Sequence, residues 1–485
     1  MKHTLVFFIA VVWLNFKGHT QQFYNRLSLP QTDDFSMTVE ELNGNYFLTV
    51  TTIDTITSGF NTILYKLNGS GVLSDSVFLD SCYTLKIFTT DNSIFTFSRK
   101  ILISGTAESI DIRKYDENLN LIADTVITQV NYHYGLFDAT LIGNDSTGVF
   151  YYSYNYSDTS DFKFEIQVLN NQLQFVQSNN YSFINFDFFF SKPGLLLMTA
   201  KNLIILKGIY FSGEQIFYKI RKNNLQMIDA DTISDLENPF LCYESIVFFD
   251  SFLVTQANIN QQTFPFDAIG FFVSDTTFEN NTYKSFNSSA TMNERVAFRA
   301  IDKTIDDKIY VGGTLNKDSW GGGVFEMQDR WLTVFKTDTS GQVFWYRNLG
   351  GDGDYFLFHL KTTSDGGVLL VGTIWDWHNS MAAQRDVVVY KLDSMGNVSF
   401  VSQISPRNFG LDVFPNPASE QIIFRINESK GPIELIVYDS YGNLVYSAAG
   451  NGTELGANVS SFRPGVYFYR VKTDTGVRSG SFVKQ

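Results

Sequence analysis

A chain of 485 residues is longer than one hydrophobic core usually serves, so at least two domains are expected. Hydrophobic residues make up 44% and charged ones 18%, a globular balance that excludes a charge-rich disordered protein. The formal net charge of −14, with no local Lys/Arg cluster to offset it, argues against nucleic acid and anionic membrane surfaces as partners.

Residues 1–20 read as a signal peptide. Lys2 gives a basic start, an apolar stretch runs from Leu5 to Leu14, and the small residues Gly18 and Thr20 precede Gln21. The apolar stretch is too short to span a bilayer, and no later segment is long or apolar enough, so no transmembrane segment is expected. No Cys lies near the cleavage site, so no lipid anchor is expected there. Export as a soluble protein is expected.

From 21 to 405 the chain is rich in Tyr, Phe, Thr, Val and Ile, residues that suit pleated, half-buried surfaces, and an all-β fold is expected. One unit recurs. Residues 365–404 hold a Gly-Gly turn, an apolar run, a variable loop, an alternating run ending in Lys-Leu-Asp, a Gly-Asn turn and a third run. The unit from Asp306 to Leu349 repeats these parts in order, and weaker copies precede it. Anchors at Lys66, Lys114, Val168, Lys219, Phe272, Lys336 and Lys391 define seven units. A period near fifty with about four strands per unit is the pattern of a β-propeller blade, and about seven blades are expected. Residues 23–48 align without a gap onto 345–370, so the chain begins in mid-unit. Its first strand is expected to complete the last blade, which removes exposed sheet edges. The last two units resemble the delivery-associated β-propeller repeats of secreted Bacteroidetes proteins; the resemblance implies a scaffold rather than an activity.

Cys82 and Cys242 fall at the same phase of the second and fifth units, on opposite sides of a seven-membered ring, so no disulfide between them is expected. "GGDGD" at 350–354 reads as a turn between units rather than a calcium loop, because no further acidic ligand follows. His133, His359 and His378 are the histidines beyond the signal peptide; none stands in a metal or catalytic motif, and no metal or cofactor is expected. Beyond Trp13, every Trp lies between Trp320 and Trp377. Trp331 and Trp345 belong to strand runs and are expected to pack. Trp320, Trp375 and Trp377 fall in the variable loops after "GGT" and "VGT" of adjacent units, with Asp376 and His378 beside them. Indole faces stack on sugar rings and the polar neighbours supply hydrogen bonds, so a ligand site is placed on these five residues.

After a linker at 406–410 the composition shifts: Pro406, Pro415, Pro417, Pro432 and Pro464 all follow Ser405, in a chain with only four other prolines. Short alternating runs from 411 to 485 suit a small Ig-like β-sandwich, with Ile433, Leu435 and Val437 on one face of a strand. "VFPNPAS" (413–419), "VYDSYGNLVY" (437–446), "PGVYFYRVKTDTG" (464–476) and "SFVK" (481–484) resemble, in order, the four motifs of the type A type IX secretion C-terminal sorting domain. Pro415, Asn416 and Pro417 set a rigid corner, Gly442-Asn443 a hairpin, and Pro464-Gly465 the entry to the strand of Tyr467, while Lys484 closes the last motif. The resemblance implies a type IX translocon and sortase as partners, and surface lipopolysaccharide as the point of attachment. A cell-surface or secreted binding or adhesion module is expected, with a glycan as its ligand and no catalytic residues. A polysaccharide-active glycosidase or lyase is the alternative, and a structural surface-layer component a third.

Overall fold

In a computed structural model, the residues described are 23–27, 32–54, 60–90, 92–101, 108–129, 131–142, 145–155, 158–181, 196–198, 203–209, 215–233, 246–249, 252–260, 267–275, 281–289, 292–317, 327–379, 384–398, 411–426, 431–439, 444–473 and 476–485. The expected signal peptide, the linker, Trp320, Cys242, Gly442 and Asn443 lie outside them. Contacts divide the chain into two units, 1–399 and 400–485.

Among the described residues the first unit holds seven antiparallel sheets, six of them laid down as an up-and-down run of consecutive strands. Blade 1 comprises Thr32–Phe35 and Val39–Leu42 as a broken inner strand, then Asn45–Asp54, Phe60–Leu67 and Leu73–Leu79. Blade 2 is Cys82–Thr90, Ser93–Ile101, Glu108–Tyr115 and Leu121–Ile127; blade 3 is Tyr132–Leu141, Ser146–Asn155, Asp158–Asn170 and Phe175–Tyr181. Blade 4 is Leu196–Met198, Leu203–Ile209, Gln215–Arg221 and Met227–Ile233; blade 5 is Ile246–Phe249, Phe252–Asn260, Asp267–Asp275 and Asn281–Phe286. Blade 6 is Glu294–Lys303, Ile309–Leu315, Trp331–Thr337 and Val343–Gly350. Blade 7 takes Asp354–Thr362, Val368–Trp375 and Asp386–Leu392 from the end of the run, and its outer strand is Phe23–Leu27 from the beginning. Phe23 pairs with Lys391 and Leu27 with Val387, which is the closure that the mid-unit start predicts. Each inner strand packs on the next, and that of blade 7 on that of blade 1, so the ring is cyclic. All seven sequence anchors lie in the third strands of the seven sheets.

The core lies between blades, where the apolar face of each sheet meets its neighbour. Leu332 and Val334 of blade 6 pack with Leu357 and Leu370 of blade 7; Phe23 and Val389 of blade 7 pack with Tyr46 and Leu48 of blade 1. The recurring Lys is a tie between blades. Lys66 Nζ donates to the Glu117 carbonyl at 2.7 Å, Lys114 Nζ to Asn171 O at 3.1 Å and Lys336 Nζ to Ser394 O at 3.2 Å, each reaching the turn after the third strand of the following blade. The recurring Asp that opens this turn caps it: Asp393 Oδ1 accepts the Met395 and Asn397 N–H groups, both at 2.8 Å, and Asp116 and Asp338 act alike.

The second unit has a three-stranded sheet, Leu411–Phe414, Gln421–Ile426 and Glu454–Asn458, and a four-stranded one, Leu444–Asn451, Pro432–Tyr438, Gly465–Thr473 and Gly476–Lys484. Ile422 and Phe424 of the first share a core with Ile433, Leu435 and Val437 of the second, all fully buried. Phe414–Pro415 and Asn416–Pro417 are both cis. The corner they form is stitched to the chain end: Asn416 Oδ1 accepts the Val483 N–H at 2.9 Å, and the Ala418 N–H donates to the Val483 carbonyl at 2.8 Å. The first and last motifs of the module are thus one structural feature. Tyr467 from the third motif stacks on Phe482 of the last and donates its hydroxyl to Arg463 O at 2.9 Å.

Candidate functional site

The variable loops of blades 6 and 7 both join the second strand to the third, so their described ends lie on the same face of neighbouring blades. Blade 7 enters its loop at Trp375, paired across the sheet with Asp354. Asp354 is wholly buried and accepts from Arg330 Nη1 at 2.7 Å and Arg385 Nη2 at 3.3 Å. Two guanidiniums around one carboxylate hold this charge cluster out of water only while all three stay in place. The cluster fixes the loop ends. Arg330 closes the blade 6 loop and donates Nε to Asn316 O at 3.2 Å; Arg385 closes the blade 7 loop and bonds through its backbone to Asp33 and Asp34 of blade 1.

Above this anchor the Trp377 and His378 rings stack with centroids 3.7 Å apart. His378 Nε2 lies 2.7 Å from Asp329 Oδ1 of the blade 6 loop, which joins the two loops across the blade boundary. Asp376 accepts from Arg26 Nη1 at 3.2 Å, and Arg26 Nε donates to Asp386 at 2.6 Å, so the N-terminal strand braces the loop from the other side. The structure therefore brings together Asp376, Trp377 and His378. The expectation for Trp375 is corrected: at 4% exposure its ring is part of the blade and offers no face to a ligand, because the residue closes a strand that is buried throughout. Asp329 and Arg26 escape a reading of the sequence, since one lies just before the Trp331 strand of the neighbouring blade and the other at the far end of the chain, in the strand that closes the ring. Trp345 packs as expected, with Nε1 donating to Ser394 O at 3.0 Å. In the "GGDGD" turn, Asp352 accepts the Tyr355 hydroxyl at 2.8 Å and Asp354 holds the two arginines. Among the described residues no group of His, Cys, Asp and Glu is placed to hold a metal ion.

A second charged cluster joins the inner strands of blades 1, 2, 3, 6 and 7. Lys361 of blade 7 lies between Glu40 of blade 1, at 3.4 Å, and Asp302 of blade 6, at 3.6 Å. Asp138 of blade 3 takes Lys86 of blade 2 at 3.5 Å and Arg299 of blade 6 at 3.4 Å. Arg299 Nη1 also donates to Leu85 O at 2.6 Å, so one side chain crosses the channel to the opposite blades. Asp302 and Glu40 raise the Lys361 ammonium above its ordinary value, while burial pushes the Glu40 carboxyl up and Lys86 down. Burial, together with Lys86, Arg299 and Lys361, holds His359 well below its ordinary value, and its Nδ1 accepts the Val39 N–H at 2.9 Å. The signal present in the sequence is an ionisable residue within an otherwise apolar inner strand, such as Lys86 in "LKIF" and Asp138 in "FDAT".

Seven cyclic blades and the two-sheet module that follows make this an all-β, propeller-bearing protein. Residues 412–485 match the family described as the secretion system C-terminal sorting domain, so the chain carries that domain, engages the secretion machinery and is a secreted or cell-surface protein. No helix among the described residues is long and apolar enough to cross a membrane. No curated protein sequence matches the chain. Among solved structures it is similar to the β-propeller domain of the Trilobed protease from Pyrococcus furiosus (8% identity, TM-score 0.43, covering 76% of this chain and 97% of that one). It is also similar to the acylaminoacyl peptidase of Pyrococcus horikoshii (10%, TM-score 0.42, 82% and 59%) and to a DUF4221 family member from Bacteroides vulgatus (11%, TM-score 0.37, 76% and 95%).

Proposed function

We propose that the propeller is a binding module with no reaction of its own, which takes a glycan on the face formed by the blade 6 and blade 7 loops. The observation that carries this reading is the partly buried Trp377 stacked on the exposed His378 and flanked by Asp329 and Asp376: an indole beside hydrogen-bonding groups is the chemistry that recognises a sugar ring. The ion pairs that hold Glu40, Asp138 and Asp302 suit a structural role for these three carboxylates. Attachment to surface lipopolysaccharide after removal of the sorting domain completes the reading. The test is a glycan array with the full-length mature protein. Trp377→Ala should abolish binding with little change in thermal midpoint, whereas Trp375→Ala should lower the midpoint because its ring is buried. Equal glycan binding by wild type and Trp377→Ala, or no glycan bound by the wild type, would overturn the proposal.

A further inference from the structure

A cavity of about 840 Å³ opens on the opposite face of the propeller. It lies among the first-to-second-strand turns of blades 1, 2 and 3, with Ser364 of blade 7 at its rim. The first-to-second and second-to-third connections leave opposite ends of the strands, so this cavity is remote from the Trp377 loop. Its volume is that of a pocket for a small ligand.

The hydrogen-bonding state of its lining identifies a ligand class. Ser93 and Thr147 are 7% and 2% exposed, line the cavity, and have hydroxyls with no protein partner among the described residues. Thr90, Asn92 and the exposed Asp145 beside them are also without a partner among those residues. The other charges are engaged: Glu41 accepts the Ser364 N–H and O–H, both at 2.6 Å, and Lys114 donates to Asn171 O at 3.1 Å. What is left is a set of hydroxyls, one amide and one carboxylate. These groups face the cavity with their hydrogen-bonding capacity unused by the protein, and a molecule dense in hydroxyl groups can pair with them. Leu42, Phe95 and Leu141 give the wall an apolar part on which the carbon face of a sugar ring can rest, and Lys114, the cation of the lining, is already engaged with Asn171. We infer that the cavity is a second ligand site, for a short neutral oligosaccharide.

The experiment uses the full-length mature protein carrying Trp377→Ala, which removes the first proposed site. Maltotriose, cellotriose and mannotriose are titrated by calorimetry and saturation-transfer NMR. At least one should bind. Thr147→Val or Ser93→Ala in the same background should weaken it about tenfold, while Thr147→Ser, which keeps the hydroxyl, should not. No binding at millimolar sugar would mean that the cavity holds water only and would overturn the inference, as would binding indifferent to both substitutions. Since Trp377 is already absent, failure here leaves the glycan reading of the loop face untouched.

Discussion

Gly396 adopts a φ of 78° in the turn after the third strand of blade 7, and a Cβ built on it would fall 2.8 Å from the Trp345 ring of blade 6. Gly71 in the same turn of blade 1 faces the Phe23 ring in the same way. In blades 2 and 3 the equivalent positions carry Leu119 and Leu173, with φ of 61° and 60°, and both are buried in the core between blades. The position is therefore filled either by a neighbour's side chain over glycine, an aromatic ring in blades 1 and 7 and the Lys284 stem at Gly341 of blade 6, or by leucine, which accepts a left-handed backbone and fills the space itself. The sequence shows the glycine as a turn residue and makes the leucine units look degenerate, because the compensating ring lies in another blade. Replacing Gly396 with Ala should cost about 2–3 kcal/mol, from the left-handed strain plus displacement of the indole. Gly44→Ala is the control, with a φ of 73° and open space around the new methyl, and should cost only about 1 kcal/mol. Denaturant titration of both variants decides: equal losses would show that the Trp345 contact contributes nothing.

The strands are the most legible elements, and the third strands most of all, because the Lys tie and the Asx-capped turn recur in the sequence at a fixed phase. Closure is legible too, since the first strand carries the pattern of an outer strand. The inner strands are not. In blades 2, 3 and 7 each has a register shift, between Thr84 and Lys86, Leu136 and Asp138, and Leu357 and His359. The extra residue frees a backbone group, as when Leu85 O accepts from Arg299, and the residue after it joins the charged cluster of the channel. A bulge leaves no compositional mark, and a single Lys or Asp in an apolar strand has no visible partner until the ring closes. Closure itself can be tested. Deleting residues 23–27 would expose the Asp386–Leu392 strand, whose Val387, Val388 and Val389 make an apolar edge open to other chains. It would also remove five residue pairings and the burial of Phe23, for a loss of roughly 5 kcal/mol or more. The deletion protein should unfold at a lower denaturant concentration and aggregate when heated. Unchanged unfolding and solubility would mean that the first strand is dispensable to the ring.

At the scale of the whole molecule the two units answer to different requirements. The propeller is closed on itself, with the outer strand of its last blade supplied by residues 23–27 and its inner strands tied by ion pairs of its own. The sorting module has its own core of Ile422, Phe424, Leu435 and Val437, and its surface is organised by the stitch between the proline corner and the chain end. That stitch makes the last residues informative. Deleting Phe482–Gln485 removes Phe482 from beneath Tyr467 and takes away the partners of Asn416 and Ala418, so a cut at one motif disturbs the first and third as well. The cut chain should accumulate in the periplasm with the propeller folded, as would a chain lacking 411–485 altogether. Asn416→Ala should give a partial defect, since the backbone bond between Ala418 and Val483 survives. Fractionation followed by limited proteolysis reads both properties in one experiment: a protease-resistant propeller in the periplasm fits the division of labour, and normal surface levels of the chain cut before Phe482 would show that the stitch is not part of the sorting signal.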